Sequence, residues 1–99
     1  MPDDNTQRLQ QLMDQNALRD LNTTYCRAID RRDYVLLKSL YHVGAKEDRG
    51  AIYVGSAEGF ADWAEADAVN YELTVHRLFN MLFAIDGERA QGEIYAEAY

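Results

Sequence analysis

The dipeptide Asp86-Gly87 stands between two long β-favouring runs, Thr74 to Ile85 and Arg89 to Tyr99. An Asp-Gly pair in that position is a strong hairpin signal, because the tight turn needs positive φ and glycine adopts it without a Cβ clash. A two- or four-residue turn puts His76, Leu78, Asn80 and Leu82 on one face with Gln91, Glu93, Tyr95, Glu97 and Tyr99. Val75, Phe79, Met81, Phe83, Gly92, Ile94, Ala96 and Ala98 fall on the other face, joined by Arg77. A three-residue turn would mix the two sets, so the sorting register is the one expected. By burial rules alone, the polar face is solvated and the apolar face is core.

Upstream the period changes. Leu9, Leu12, Met13, Leu18, Leu21, Tyr25 and Ile29 recur at three- and four-residue spacing, which predicts a helix from about Thr6 to Ile29. Asp33 is the expected N-cap of a short second helix with Leu36, Leu37, Leu40 and Tyr41 as its buried stripe. Gly50 to Gly55 reads as a short strand between glycine breaks. Ser56 then caps a third helix, with Phe60, Trp63 and Ala64 inward, that fades near Asn70.

The 99 residues, 47% hydrophobic and 27% charged, fit one globular domain over 1–99 with a modest core. Net charge is −7 and uneven: the first 49 residues carry eight of each sign, the rest nine acids against Arg77 and Arg89 alone. Such a surface repels phosphate backbones and anionic membranes, so neither nucleic acid nor a membrane is an expected partner. Cys26 has no second cysteine to pair with, and Met1-Pro2-Asp3-Asp4-Asn5 lacks the basic and apolar regions of a leader, which points to the cytoplasm. The apolar stretches are far short of the ~20 residues that cross a bilayer.

The element order, together with Tyr25-Cys26-Arg27-Ala28-Ile29-Asp30-Arg31-Arg32-Asp33, Leu40-Tyr41-His42, Tyr53-Val54-Gly55 and Thr74-Val75-His76-Arg77-Leu78-Phe79-Asn80, resembles the SnoaL-like branch of the nuclear transport factor 2-like superfamily. Polyketide cyclases, dehydratases and isomerases belong to that branch. The resemblance runs from about Leu9 onward and implies a cone-shaped α+β fold with helices over a curved, mainly antiparallel sheet. It places Asp30 and His76 at a family dyad and Tyr25 at an assisting tyrosine. It also reverses the burial argument: the His76 face, with Asn80 and Tyr95, would line a cavity with Trp63 as substrate-binding residues, and the apolar face would meet a second subunit in a homodimer. The family continues for further strands, so the C-terminal part of the sheet is expected to be missing from this chain.

Each residue also has a plainer reading. His76 is a general base for a proton next to a carbonyl, or a hydrogen-bonded sheet histidine. Asp30 orients its imidazole, or is a helix-end charge beside Arg31 and Arg32. Tyr25 donates its phenol to a developing oxyanion, or packs in the core; five residues along a helix leave it about 140° from Asp30, so convergence needs the helix to end near Ile29. Asn80 binds a substrate oxygen, or pairs with Glu93 across the hairpin. His42 reads as an exposed helix-end residue and Cys26 as a small buried one.

Two histidines and one cysteine give no metal-ligand spacing, and the glycines form no dinucleotide or phosphate loop, so a reaction without metal or cofactor is expected. Three roles fit: a lyase or isomerase acting on a hydrophobic small molecule, a non-catalytic ligand-binding module, and a structural subunit like the small subunit of ring-hydroxylating dioxygenases. A closed apolar cavity in contact with both dyad residues favours the first, and a filled one favours assembly.

Overall fold

A computed structural model describes residues 4–99. The start Met1-Pro2-Asp3, part of the segment on which the expected absence of a leader rests, lies outside the described residues. Helix α1 spans Asp4–Asp30, α2 Tyr34–Ser39 and α3 Ala57–Asp67, the last continued by a 3-10 turn over Ala68–Asn70. Strands β1 (Lys46–Asp48) and β2 (Val54–Ser56) form one antiparallel pair, and β3 (His76–Asp86) and β4 (Arg89–Ala98) another. The mixed α+β order is the one expected. No helix among the described residues is long and apolar enough to cross a membrane.

The caps fall where the side chains direct them. Asp33 accepts from Leu36 N at 3.1 Å and starts α2, while Ser56 accepts from Gly59 N at 3.0 Å and starts α3. Helix α1 stops through paired bonds from Arg32 N to Ile29 O and from Asp33 N to Ala28 O, with Arg32 at φ 56° in the left-handed position that closes such an end. That stop leaves Asp30 as the last helical residue, one beyond the expected boundary.

Ala28, Leu37 and Ala61 form the centre of the core, where α1, α2 and α3 meet, with Tyr25, Ile29, Tyr34, Leu36, Leu40 and Tyr41 packed around it. Two of the three central residues are alanines, which lets the helices approach closely. Of the α1 stripe only Tyr25 and Ile29 pack on this core, and Leu9, Leu12, Met13 and Leu21 are exposed.

The expected strand at Gly50–Gly55 is corrected. Strand β2 begins only at Val54, and residues 49–53 form the loop that joins it to β1. Gly50 takes φ 63°, and its N–H is held by Asp48 Oδ1 at 2.9 Å, which suits a turn and not a ladder.

The long hairpin forms, with its turn moved by one residue. Asp86 pairs with Arg89, so Gly87 and Glu88 are the two central residues, and Gly87 has φ 59°, as the first position of a type II′ turn requires. Near the turn the sorting register holds, with Leu82 opposite Glu93 and Ala84 opposite Gln91. Between Leu78 and Met81 a bulge places Phe79 and Asn80 opposite Tyr95 alone, and the pairing beyond it becomes Leu78 with Ala96 and His76 with Ala98. One extra residue therefore moves His76 and Leu78 to the side of Met81, Phe83 and Ile85, the half-buried positions of a strand packed on α1. Asn80 and Tyr95 go to the exposed side, contrary to the expected cavity face.

This also corrects the expected outer face. Met81, Ile94 and Val75 are half-buried, and the outer side carries Arg77, Phe79, Leu82 and Ala84 with Gln91, Glu93, Tyr95 and Glu97. It is mixed in polarity, not nearly all apolar. On the inner side Phe83 lies over Gly92, where an added Cβ would meet ring atoms at 2.6 and 2.8 Å. Gly92→Ala is expected to lose about 1–3 kcal/mol by overpacking, read as a lower urea midpoint, whereas Ala90→Ser, at an exposed position of the same strand, leaves the midpoint unchanged.

Candidate functional site

Asp30 is an unusual last residue for a helix, because the C-terminal carbonyls already carry negative partial charge. Its carboxylate is fully engaged: Oδ2 accepts the His76 backbone N–H at 2.8 Å, and Oδ1 accepts Thr74 Oγ1 at 3.1 Å and meets His76 Nδ1 at 2.6 Å. Carboxylate and imidazole are each about one-quarter exposed. A carboxylate only accepts, so Nδ1 carries the proton and the neutral ring keeps its lone pair on Nε2. The expected pair is therefore in hydrogen-bond contact. Thr74 was missed, although it lies two residues before His76, the spacing that puts strand side chains on one face.

His76 lines a cleft of about 400 Å³, and Asp30 stands behind it. Tyr25, Ile29 and Arg32 from α1 and its end, Arg49 and Ile52 from the β1–β2 loop, Phe60 and Trp63 from α3, and Tyr71, Thr74 and Tyr99 complete most of the wall. Tyr25 and Trp63 thus share a cleft with His76, whereas Asn80 and Tyr95 do not line it. The 140° between Tyr25 and Asp30 is no obstacle, because the strand histidine reaches to Asp30 and the cleft never has to. Arg32 Nη2 fixes one rim by donating to Tyr71 O at 2.6 Å.

The polar partner of Tyr25 is Arg49, which sequence reasoning did not single out. Arg49 Nη2 donates to the Tyr25 hydroxyl at 2.6 Å, and its Nε lies 3.2 Å from Glu47 Oε2. Glu47 in turn accepts from the Tyr41 hydroxyl. The guanidinium sits 4.4 Å above the Phe60 ring, and Phe60 stacks on Trp63 at 5.9 Å. The signal available in the sequence was Glu47 and Arg49 at strand spacing, followed by Gly50.

Burial pushes the Tyr25 phenol above its ordinary value, opposed by Arg49, and burial with the Glu47 bond pushes Tyr41 further up. Both stay protonated at neutral pH. An unfolded tyrosine loses its proton near pH 10 while these folded ones keep theirs, so their contribution to stability is intact below pH 10 and is lost as pH rises beyond it. Thermal melts between pH 8 and 11 should show that decline, and Tyr41→Phe should flatten it. Cys26 is buried and its thiol is also raised by burial, and His42 is exposed. Among the described residues no group of three His, Cys, Asp or Glu side chains is placed to hold a metal ion.

Helices packed on antiparallel strands around a half-open cleft, with a histidine on its wall and that histidine's carboxylate partner behind it, define a small-molecule-binding α+β domain of the nuclear transport factor 2-like kind. A family model described as the SnoaL-like domain matches residues 10–99, and the chain belongs to that family. No curated protein and no solved structure matches the chain.

Proposed function

We propose that the domain is a lyase or isomerase of the dehydratase or cyclase type, acting on a hydrophobic, cyclic carbonyl compound without metal or cofactor. The observation that carries the reading is the 2.6 Å contact between Asp30 Oδ1 and His76 Nδ1, with His76 on the wall of an aromatic cleft. His76 Nε2 takes a proton from the carbon next to the carbonyl, and the C–H electron pair moves into a C=C bond as the carbonyl oxygen becomes an oxyanion. Asp30 stabilises the imidazolium so formed. Tyr25, still protonated, donates to the oxyanion. The electrons then return to expel a β-hydroxyl, which takes the proton back from His76 and leaves as water, or they accept the proton at another carbon. Dehydration and isomerisation share the first step.

That first step is testable without the natural substrate. In D2O the α-protons of 2-tetralone and related cyclic ketones should exchange faster with the protein than in buffer, followed by loss of their NMR signals. Exchange no faster than with His76→Gln would overturn the catalytic reading, and binding without exchange would make the domain a ligand carrier.

The cleft is open and not filled by side chains, which favours ligand binding over a purely structural role. Self-association belongs to the same proposal in modified form: Phe79, Leu82 and Tyr95 on the outer sheet side are 53%, 71% and 63% exposed and form the apolar part of the surface offered to a second copy. Light scattering over a dilution series should show a homodimer, and a well-folded monomer at high micromolar concentration would exclude it.

A further inference from the structure

The group that Arg49 serves is not settled by its protein partners. A guanidinium has five N–H donors in a rigid plane. Nε and Nη2 are used by Glu47 and by the Tyr25 hydroxyl, and among the described residues Nη1 has no hydrogen-bond partner. The side chain lines the cleft and cannot wander, since Phe60 lies beneath it and Glu47, itself held by Tyr41, grips one edge. A cation fixed before any ligand arrives loses little entropy on binding one.

We infer that Arg49 is a second donor of the oxyanion site, so that Tyr25 and Arg49 hold the same ligand oxygen and the cleft selects the anionic form of a planar cyclic enol or phenol. This deepens the reading proposed above and rests on it. The Tyr25 hydroxyl accepts from Arg49, and its own proton is thereby left for the ligand. A hydroxyl that accepts a charge-assisted hydrogen bond becomes a stronger donor. The flat portion of the ligand would lie against Trp63, which lines the cleft and is itself backed by the stacked Phe60 ring.

Other charges line the same cleft or stand close behind its wall. Arg32 and Asp67 also line the cleft and offset one another, while Glu47 is bound on both its oxygens and Asp30 is engaged behind His76. With Glu47 beside it, Arg49 acts through direct hydrogen bonds and not through a long-range field. A close, planar donor is therefore required, and lysine is a poor substitute.

The test uses 4-nitrophenol, which ionises near neutral pH and becomes yellow when it does. Titrated with the protein at a pH below its midpoint, it should turn yellow on binding, with the phenolate held about tenfold tighter than the phenol, a shift of about one pH unit. Arg49→Gln should remove that preference, and Arg49→Lys should recover only part of it; circular dichroism identifies a variant that fails to fold. His76→Gln should retain it, which separates the anion preference from charge on the imidazole. Binding by the wild-type protein with equal affinity for both forms would overturn the inference, as would absence of binding. Since proton exchange from 2-tetralone is measured separately, either result leaves the role of His76 to be judged by that assay.

Discussion

Leu37→Ala is expected to lower the unfolding free energy by about 2–5 kcal/mol, a large share of the stability of a domain this size. Leu37 is fully buried, and the core residues grouped with it are Ala28 and Ala61, whose methyl groups cannot extend into the space it would vacate. The surrounding residues are held in place: Tyr25 by Arg49, Tyr41 by Glu47, and Leu36 by the Asp33 cap. The cavity therefore stays open. Urea denaturation measures the loss, and Leu37→Met, which keeps the volume, should cost less than about 1.5 kcal/mol. A similar loss for both substitutions would show that the site demands leucine's shape and not merely its bulk.

The helices were legible because their signals are local. Asp33 and Ser56 cap by reaching three residues along the chain, and the periodic spacing of α1 marks the face that reaches the core, although its first half is left uncovered. The hairpin was legible for the same reason. Its bulge was not, because Phe79 and Asn80 carry no composition that marks an inserted residue, and the shift appears only when β4 is laid beside β3. The bulge moved only His76 and Leu78 to the inner side, whereas Met81, Phe83 and Ile94 lie on its turn side and follow the plain burial rule, which leaves Asn80 and Tyr95 outside.

The site divides along the same line. Asp30, His76 and Tyr25 were named through resemblance, and the structure brings the first two into contact and puts His76 and Tyr25 on one cleft. Arg49 and Thr74 were not named. Arg49 reaches Tyr25 across 24 residues and Thr74 reaches Asp30 across 44, distances over which spacing carries no information. The run from Gly50 to Gly55 predicts a strand with Gly50 as its break, a pattern that assigns the arginine before it no role.

Replacing His76 with alanine should slow α-proton exchange about 10²–10⁴-fold, the usual contribution of a positioned general base. Asp30→Asn should slow it nearly as much, and for a different reason. Asparagine keeps the size of the side chain and can still accept the His76 or Thr74 donor, but its amide offers N–H groups to Nδ1 where the carboxylate offered only acceptors. The proton then favours Nε2, and the lone pair that should take the substrate proton is turned towards position 30. Nitrogen-15 NMR reads the tautomer directly. The chain has two histidines, so His42→Gln leaves a single imidazole to observe, and His42 is exposed and does not line the cleft. The expected result is a neutral ring protonated at Nδ1 in the parent and at Nε2 after Asp30→Asn, with unchanged circular dichroism. A rate loss without a tautomer change would assign Asp30 to stabilising the imidazolium and remove its role in orienting the ring. An unchanged rate would remove Asp30 from the mechanism.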